Sequence, residues 1–262
     1  MWIPVTPINV AYGPIIPPTG AISALANVST NYGGPRLMET ETAQNFPFGF
    51  RVQGFDPILG FGEFIYLQGV ASTIAGSLVN YNPFTGVTTL NVPAAGAGLP
   101  LAVALAPTVA NLFGWYQIAG SANVANNATA AAGNAFQVGT GTISSTATPG
   151  QQILGGARIL TANGSTFTKV GTVRNGNTEA FFSNLDGLFV GLPISGTGIP
   201  GGTSIAAGYN NSPNGRNSSA GGYSSVIMSA AATADGTITA TFTRTNFSVM
   251  GGQFYSGQGQ IT

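Results

Sequence analysis

The sequence contains no cysteine and no histidine. Without cysteine there is no disulfide framework and no thiolate metal site. Without histidine the commonest general base and the commonest transition-metal ligand are missing. A Ser-His-Asp triad is ruled out for the same reason. Charge is almost as scarce: 5% of the 262 residues are charged, against roughly 25% in ordinary soluble domains. The seven basic residues balance the seven acidic ones. The basic residues are Lys169 and the dispersed Arg36, Arg51, Arg158, Arg174, Arg216 and Arg244, so no cationic stripe exists. Nucleic-acid binding needs clustered cations that displace counterions, so no nucleic-acid partner is expected. No run approaches the ~18 consecutive apolar residues of a spanning helix, so no membrane partner is expected. Met1-Trp2-Ile3-Pro4 lacks the basic and apolar regions of a signal peptide, and synthesis in the cytoplasm without Sec-type export is expected.

What the chain does have is apolar residues, 44%, interrupted by 39 glycines and 16 prolines. The length allows one large or two modest domains with a real core. A monomer with so few surface charges is poorly soluble unless its surface is covered or hydrated by neutral groups. Burial against copies or a partner supplies the first remedy. A surface of Ser, Thr, Asn, Gln and Gly supplies the second.

The breakers dictate short strands. Pro4, Pro7, Pro14, Pro17, Pro18 and Pro35 forbid a helix through most of residues 1–45. The same stretch carries Ile3, Val5, Ile8, Val10, Ile15 and Ile16, which a disordered tail avoids. It reads as an extended arm ordered by lying on something else. Ala21–Val28 fits a short helix or a strand. Glu63–Thr73, Leu101–Ala106 and Gly114–Gly120 are apolar or alternating runs bounded by Gly and Pro. With Val79, Tyr81 and Thr88–Leu90 across the turn Asn82-Pro83-Phe84-Thr85-Gly86, they predict a β-meander over 62–120. Phe167–Val173 alternates and leads into the hairpin-type turn Asn175-Gly176. Ser225–Met228 and Thr237–Thr243 read as further strands, and 210–222 as an exposed loop. The expectation is an all-β chain with under about 15% helix. A β-barrel or sandwich-like domain (46–160) is followed by a smaller β-module (161–250) and a tail (251–262), behind the Pro-rich arm (1–45).

Motifs with chemical meaning have structural uses. Gly196, Gly198 and Gly201 fit G-x-G-x-x-G, but Pro200 interrupts it and no acid lies about 20 residues on. Glycoside hydrolysis needs two carboxylates. The candidates are Glu39, Glu41, Asp56, Glu63, Glu179, Asp186 and Asp235. Asp56 precedes a proline, and Asp186 and Asp235 precede glycines, which are turn positions. No Asp-rich run suits Ca²⁺. No enzyme activity, cofactor or metal is expected. Trp115-Tyr116 between glycines could stack on a sugar, but an aromatic pair in an apolar run is more often core or subunit interface.

Two stretches carry a resemblance. Glu63-Phe64-Ile65-Tyr66-Leu67-Gln68-Gly69-Val70-Ala71-Ser72-Thr73 with Gly114-Trp115-Tyr116-Gln117-Ile118-Ala119-Gly120 resembles head-decoration (cement) proteins of tailed bacteriophages. Gly187-Leu188-Phe189-Val190-Gly191, Ser195–Pro200, Gly202–Ile205 and Met228–Ala234 resemble a β-module recurrent in phage virion proteins. The resemblance implies a β-rich fold, commonly trimeric, docked on the outer face of a capsid. The expected function is a structural virion protein that stabilises a capsid by clamping neighbouring major capsid subunits. The alternative is a head-fibre or tail attachment protein that binds a host glycan. The expected partners are the major capsid protein and copies of the chain. The contact candidates are Trp2, Ile3, Val5, Ile8, Val10, Tyr12, Ile15 and Ile16 of the arm, with Trp115 and Tyr116.

Overall fold

The computed structural model describes residues 3–4, 9–10, 13–14, 37–56, 58–91, 100–127, 130–138, 140–146, 153–154, 157–209, 224–245, 247–252 and 255–256. Every regular element among them is a strand, as the breaker density predicts. The alternative helix at Ala21–Val28 lies outside the described residues, as does the expected loop at 210–222.

The largest sheet uses β1 (Arg51–Asp56), β2 (Gly60–Gln68), β3 (Leu78–Tyr81), β4 (Thr88–Leu90), β5 (Leu101–Ala104) and β6 (Phe113–Gly120). Its order is β1-β2-β6-β5-β3-β4, so the expected meander is corrected. The two long strands find each other across the shorter ones. Trp115 lies opposite Tyr66 and Tyr116 opposite Ile65, which gathers the largest apolar side chains into one pair of strands. The sheet then curls until its ends nearly meet. Gln68 N donates to Gly86 O at 2.9 Å and Thr88 Oγ1 donates to Gln68 O at 2.7 Å, joining the end of β2 to the start of β4. Ile65, Leu67, Val79, Tyr81, Ala102 and Tyr116 fill the enclosed side. The opposite face of β2 and β6 is roofed by Phe46, Phe48 and Phe50 over Phe64, Tyr66 and Trp115.

β6 carries a bulge between Gln117 and Ala119. The Gln117 side-chain amide donates to the carbonyls of Ala119 at 3.0 Å and Ser121 at 3.1 Å, satisfying acceptors where the ladder is disrupted. Gly120 follows with φ +94°, and a Cβ there would sit 2.3 Å from Phe61 O, so only glycine fits.

Past the barrel come β7 (Ala122–Ala125) and β8 (Arg158–Ile159). The chain then makes a second sheet from β9 (Thr166–Val173), β10 (Glu179–Phe182), β11 (Ile194–Ser195), β12 (Ile205–Tyr209), β13 (Ser224–Met228) and β14 (Gly236–Thr243), in the order β11-β14-β9-β10-β13-β12. The β9–β10 hairpin turns at Asn175-Gly176, with Gly176 at φ +77°. β15 (Phe247–Gly251) returns and inserts between β7 and β8. The module is therefore an excursion between two strands that pair with each other. β15 spans both cores: Met250 shares a buried cluster with Leu78, Leu101 and Val103, and Phe247 one with Leu188 and Phe189 of the module.

Residues 37–41 take part in the fold. Leu37 and Met38 are buried, and Thr40–Glu41 pairs with Phe113–Gly114. The apparent tail contributes too, since Tyr255–Ser256 pairs with Ile153–Leu154.

Candidate interaction surfaces

The barrel edge meets the arm. Ile3–Pro4 pairs antiparallel with Gly54 and Phe55 of β1, so the arm's start adds a short strand to its own chain. Val10 lies in a second short pairing, Asn9–Val10 against Gly13–Pro14. Trp2, Val5, Ile8, Tyr12, Ile15 and Ile16 lie outside the described residues.

Trp115 and Tyr116 are corrected as surface contacts. Both are 0% exposed inside the chain's own core. They alternate across β6: Trp115 points to the Phe46–Phe50 roof, Tyr116 into the barrel. Trp115 packs edge-on to Phe46 and Tyr66, each with ring centroids 5.2 Å away. Neither side chain is free to reach a partner or a sugar.

Asp56 and Asp235 hold backbone together, while Glu41 and Glu63 pair with side chains. Asp56 is 1% exposed. Its Oδ1 accepts from Ile58 N at 2.8 Å and Leu59 N at 3.0 Å, the turn role its Pro57 neighbour suggests. Its Oδ2 accepts from Gly187 N at 3.2 Å, which ties the module to the barrel. Burial opposes its ionisation, but a positive charge and, to a smaller extent, hydrogen bonds that include those from the Leu59 and Gly187 amides outweigh this and hold the carboxyl below its usual range. Glu41 accepts from the Tyr66 hydroxyl, Glu63 pairs with Arg51 at 3.2 Å, and Asp235 accepts from Asn175 N at 2.9 Å. Beside Asp56, between barrel and module, lies a cavity of about 20 Å³, room for about one water. Among the described residues no three His, Cys, Asp or Glu side chains gather, and no helix is long and apolar enough to cross a membrane.

These ionisations predict a pH window of stability. Asp56 has a lowered folded-state pKa, so its contribution is present above pH 3.8 and is lost as pH falls through the folded value. Tyr116 runs the other way. Burial pushes its hydroxyl up from 10.0 to about 12, although the hydroxyls of Thr88 and Thr108 favour ionisation. Its contribution is full below pH 10.0 and is lost as pH rises through about 12. A shift of this size corresponds to roughly 2 to 3 kcal/mol. Burial raises Tyr66 in the same direction. Urea unfolding across pH should show a plateau with both edges. Asp56→Asn should soften the acid edge, and Tyr116→Phe the alkaline one. Unchanged edges in both variants would refute the assignment.

Among the described residues the surface carries few charges and, at a few points, is apolar. On the outward face of β9 and β14, Thr166, Thr168, Thr237 and Thr239 are exposed beside Val170. That face hydrates through hydroxyls rather than charges. Phe84 stands apart at 94% exposed, with Val87 at 47%. Its turn is fixed: Asn82 Oδ1 accepts from Phe84 N at 2.8 Å and Thr85 N at 3.2 Å, and Gly86 N donates to Asn82 O at 2.9 Å. Gly86 has φ +71°, and a Cβ there would lie 2.4 Å from Phe48 Cγ. Phe84 was legible in principle. An aromatic in the middle of an Asn-Pro-x-x-Gly turn between two short strands has no core to enter.

Compared with family models, with curated proteins and with solved structures, the chain matches none.

Proposed function

We propose that the chain is a structural virion protein, a decoration protein that docks on the outside of a tailed-phage capsid as a trimer and clamps neighbouring major capsid subunits. The observation that carries the reading is Phe84, a nearly fully exposed aromatic on a hydrogen-bonded turn of a stiff barrel. A large apolar side chain held out at low conformational cost is the form that interface anchors take. Its surroundings fit: the turn 82–86 carries no charge, and the molecule as a whole carries very little.

The arm supports the same reading. Ile3–Pro4 engages the β1 edge of its own chain, and an extended segment that adds to an edge in this way can equally grip the edge of a folded partner. Prolines limit the freedom such a segment loses on docking. Because Leu37, Met38 and Thr40 belong to the fold, the informative truncation removes residues 2–35 and spares them. The truncated protein should keep its far-UV spectrum and its oligomeric state. It should fail to co-sediment with capsids lacking the protein, whereas the full chain co-sediments and raises their melting temperature. Moderate salt should weaken attachment little, because few charges are involved. Full occupancy by the truncated protein would remove the arm from the account.

A further inference from the structure

We propose that Arg244 and Ser165 form an oxyanion-binding site, taking a carboxylate or phosphate group, where the second module leaves the barrel unit.

Ser165 and Arg244 extend the β9–β14 ladder by one step: Arg244 N donates to Ser165 O at 2.9 Å. By the alternation of the strands, both side chains share the face that carries Phe167 and Phe242. Arg244 is 7% exposed. Its guanidinium carbon lies 4.7 Å from the centroid of the Phe167 ring, which in turn stacks on Phe242 at 5.3 Å. Arg244 Nε is buried without a hydrogen-bond partner, and so is Ser165 Oγ.

Four of the described carboxylates are engaged elsewhere. Glu41 is held by Tyr66, Asp56 by backbone amides, Glu63 by Arg51 and Asp235 by Asn175. Burial alone acts on Arg244, and it pushes the guanidinium pKa down. A guanidinium whose Nε is buried and unpaired costs stability, and an oxyanion at that edge removes the penalty. Ring stacking covers the face of the guanidinium and leaves its edge, where a carboxylate or phosphate binds through two parallel N–H···O bonds. In the proposed site the Ser165 hydroxyl, unpartnered on the same face, donates a further bond.

The test is thermal unfolding of the full chain in phosphate, acetate and chloride at matched pH and ionic strength. Wild type should gain at least a few degrees in phosphate or acetate over chloride, rising with the logarithm of concentration once the site is filled, as one-site linkage requires. Arg244→Met should lose that gain, while in chloride it should be at least as stable as wild type. Arg244→Lys, which lacks the fork, should keep only part of the gain. An equal gain in wild type and Arg244→Met, or no gain of wild type over chloride, overturns the proposal. If Arg244→Met does not fold, the Arg244 Nε–H resonance of the wild-type protein decides. It should move saturably on titration with phosphate or acetate, and a resonance that stays put overturns the site.

Discussion

Replacing Phe84 by Asp is expected to strip the protein from capsids while leaving its unfolding midpoint where it was. The side chain is 94% exposed, so the fold gains almost nothing from its apolar surface. The turn does not depend on it either, since Asn82 Oδ1 binds the backbone amides of residues 84 and 85, and Gly86 supplies the positive φ. A buried aromatic anchor at an interface is commonly worth about 2 kcal/mol or more, roughly a thirtyfold change in affinity. A carboxylate forced into the same apolar contact costs more than simple truncation. In a trimer the loss recurs at each copy, so avidity magnifies it. Phe84→Leu should keep most of the binding. Capsid co-sedimentation of both variants, beside their thermal unfolding, checks this. If Phe84→Asp decorates as fully as wild type, Phe84 is not the anchor.

Trp115→Ala should cause the largest loss of stability of any single substitution in the barrel. Trp115 is fully buried and meets Phe46, Phe50 and Tyr66 at centroid distances of 5.2, 6.1 and 5.2 Å. Removing it leaves a cavity under the Phe46–Phe50 roof, which the curled sheet cannot close. Such truncations cost about 3–5 kcal/mol. For a chain of this size that lowers the melting temperature by roughly 10 °C. Trp115→Phe is the informative companion. The indole N–H has no hydrogen-bond partner, so the smaller ring also removes an unsatisfied donor. Its cost should stay under about 2 kcal/mol. Equal losses in the two variants would mean that the roof does not rest on ring volume.

The strands were readable because period-two alternation and Gly or Pro boundaries are local signals. Phe64 to Leu67, Trp115 to Ile118 and Thr237 to Thr243 all lie in strands. Their partners were not readable. Alternation says which side chains share a face, not which strand lies alongside, so the pairing of Tyr66 with Trp115 escaped a meander reading. Leu37 and Met38 sit between Arg36 and Glu39, a context that suggests a solvated segment, yet both are core. The return of Phe247–Gly251 between β7 and β8 spans more than a hundred residues of sequence, beyond any local pattern. Arg244 gave no signal because a single arginine in a Thr-rich strand looks like an ordinary surface charge. Trp115 and Tyr116 were recognised as structural aromatics, and only the packed chain distinguishes core from subunit interface.

The central claim is that this chain coats a shell. The most direct measurement is its copy number and position on purified particles, from cryo-electron microscopy with quantitative gel densitometry. The account predicts hundreds of copies, in threefold clusters spread over the outer face of the capsid lattice. A few copies confined to one vertex or to a fibre would contradict it and favour an attachment protein. Absence from the particle would end the virion reading altogether.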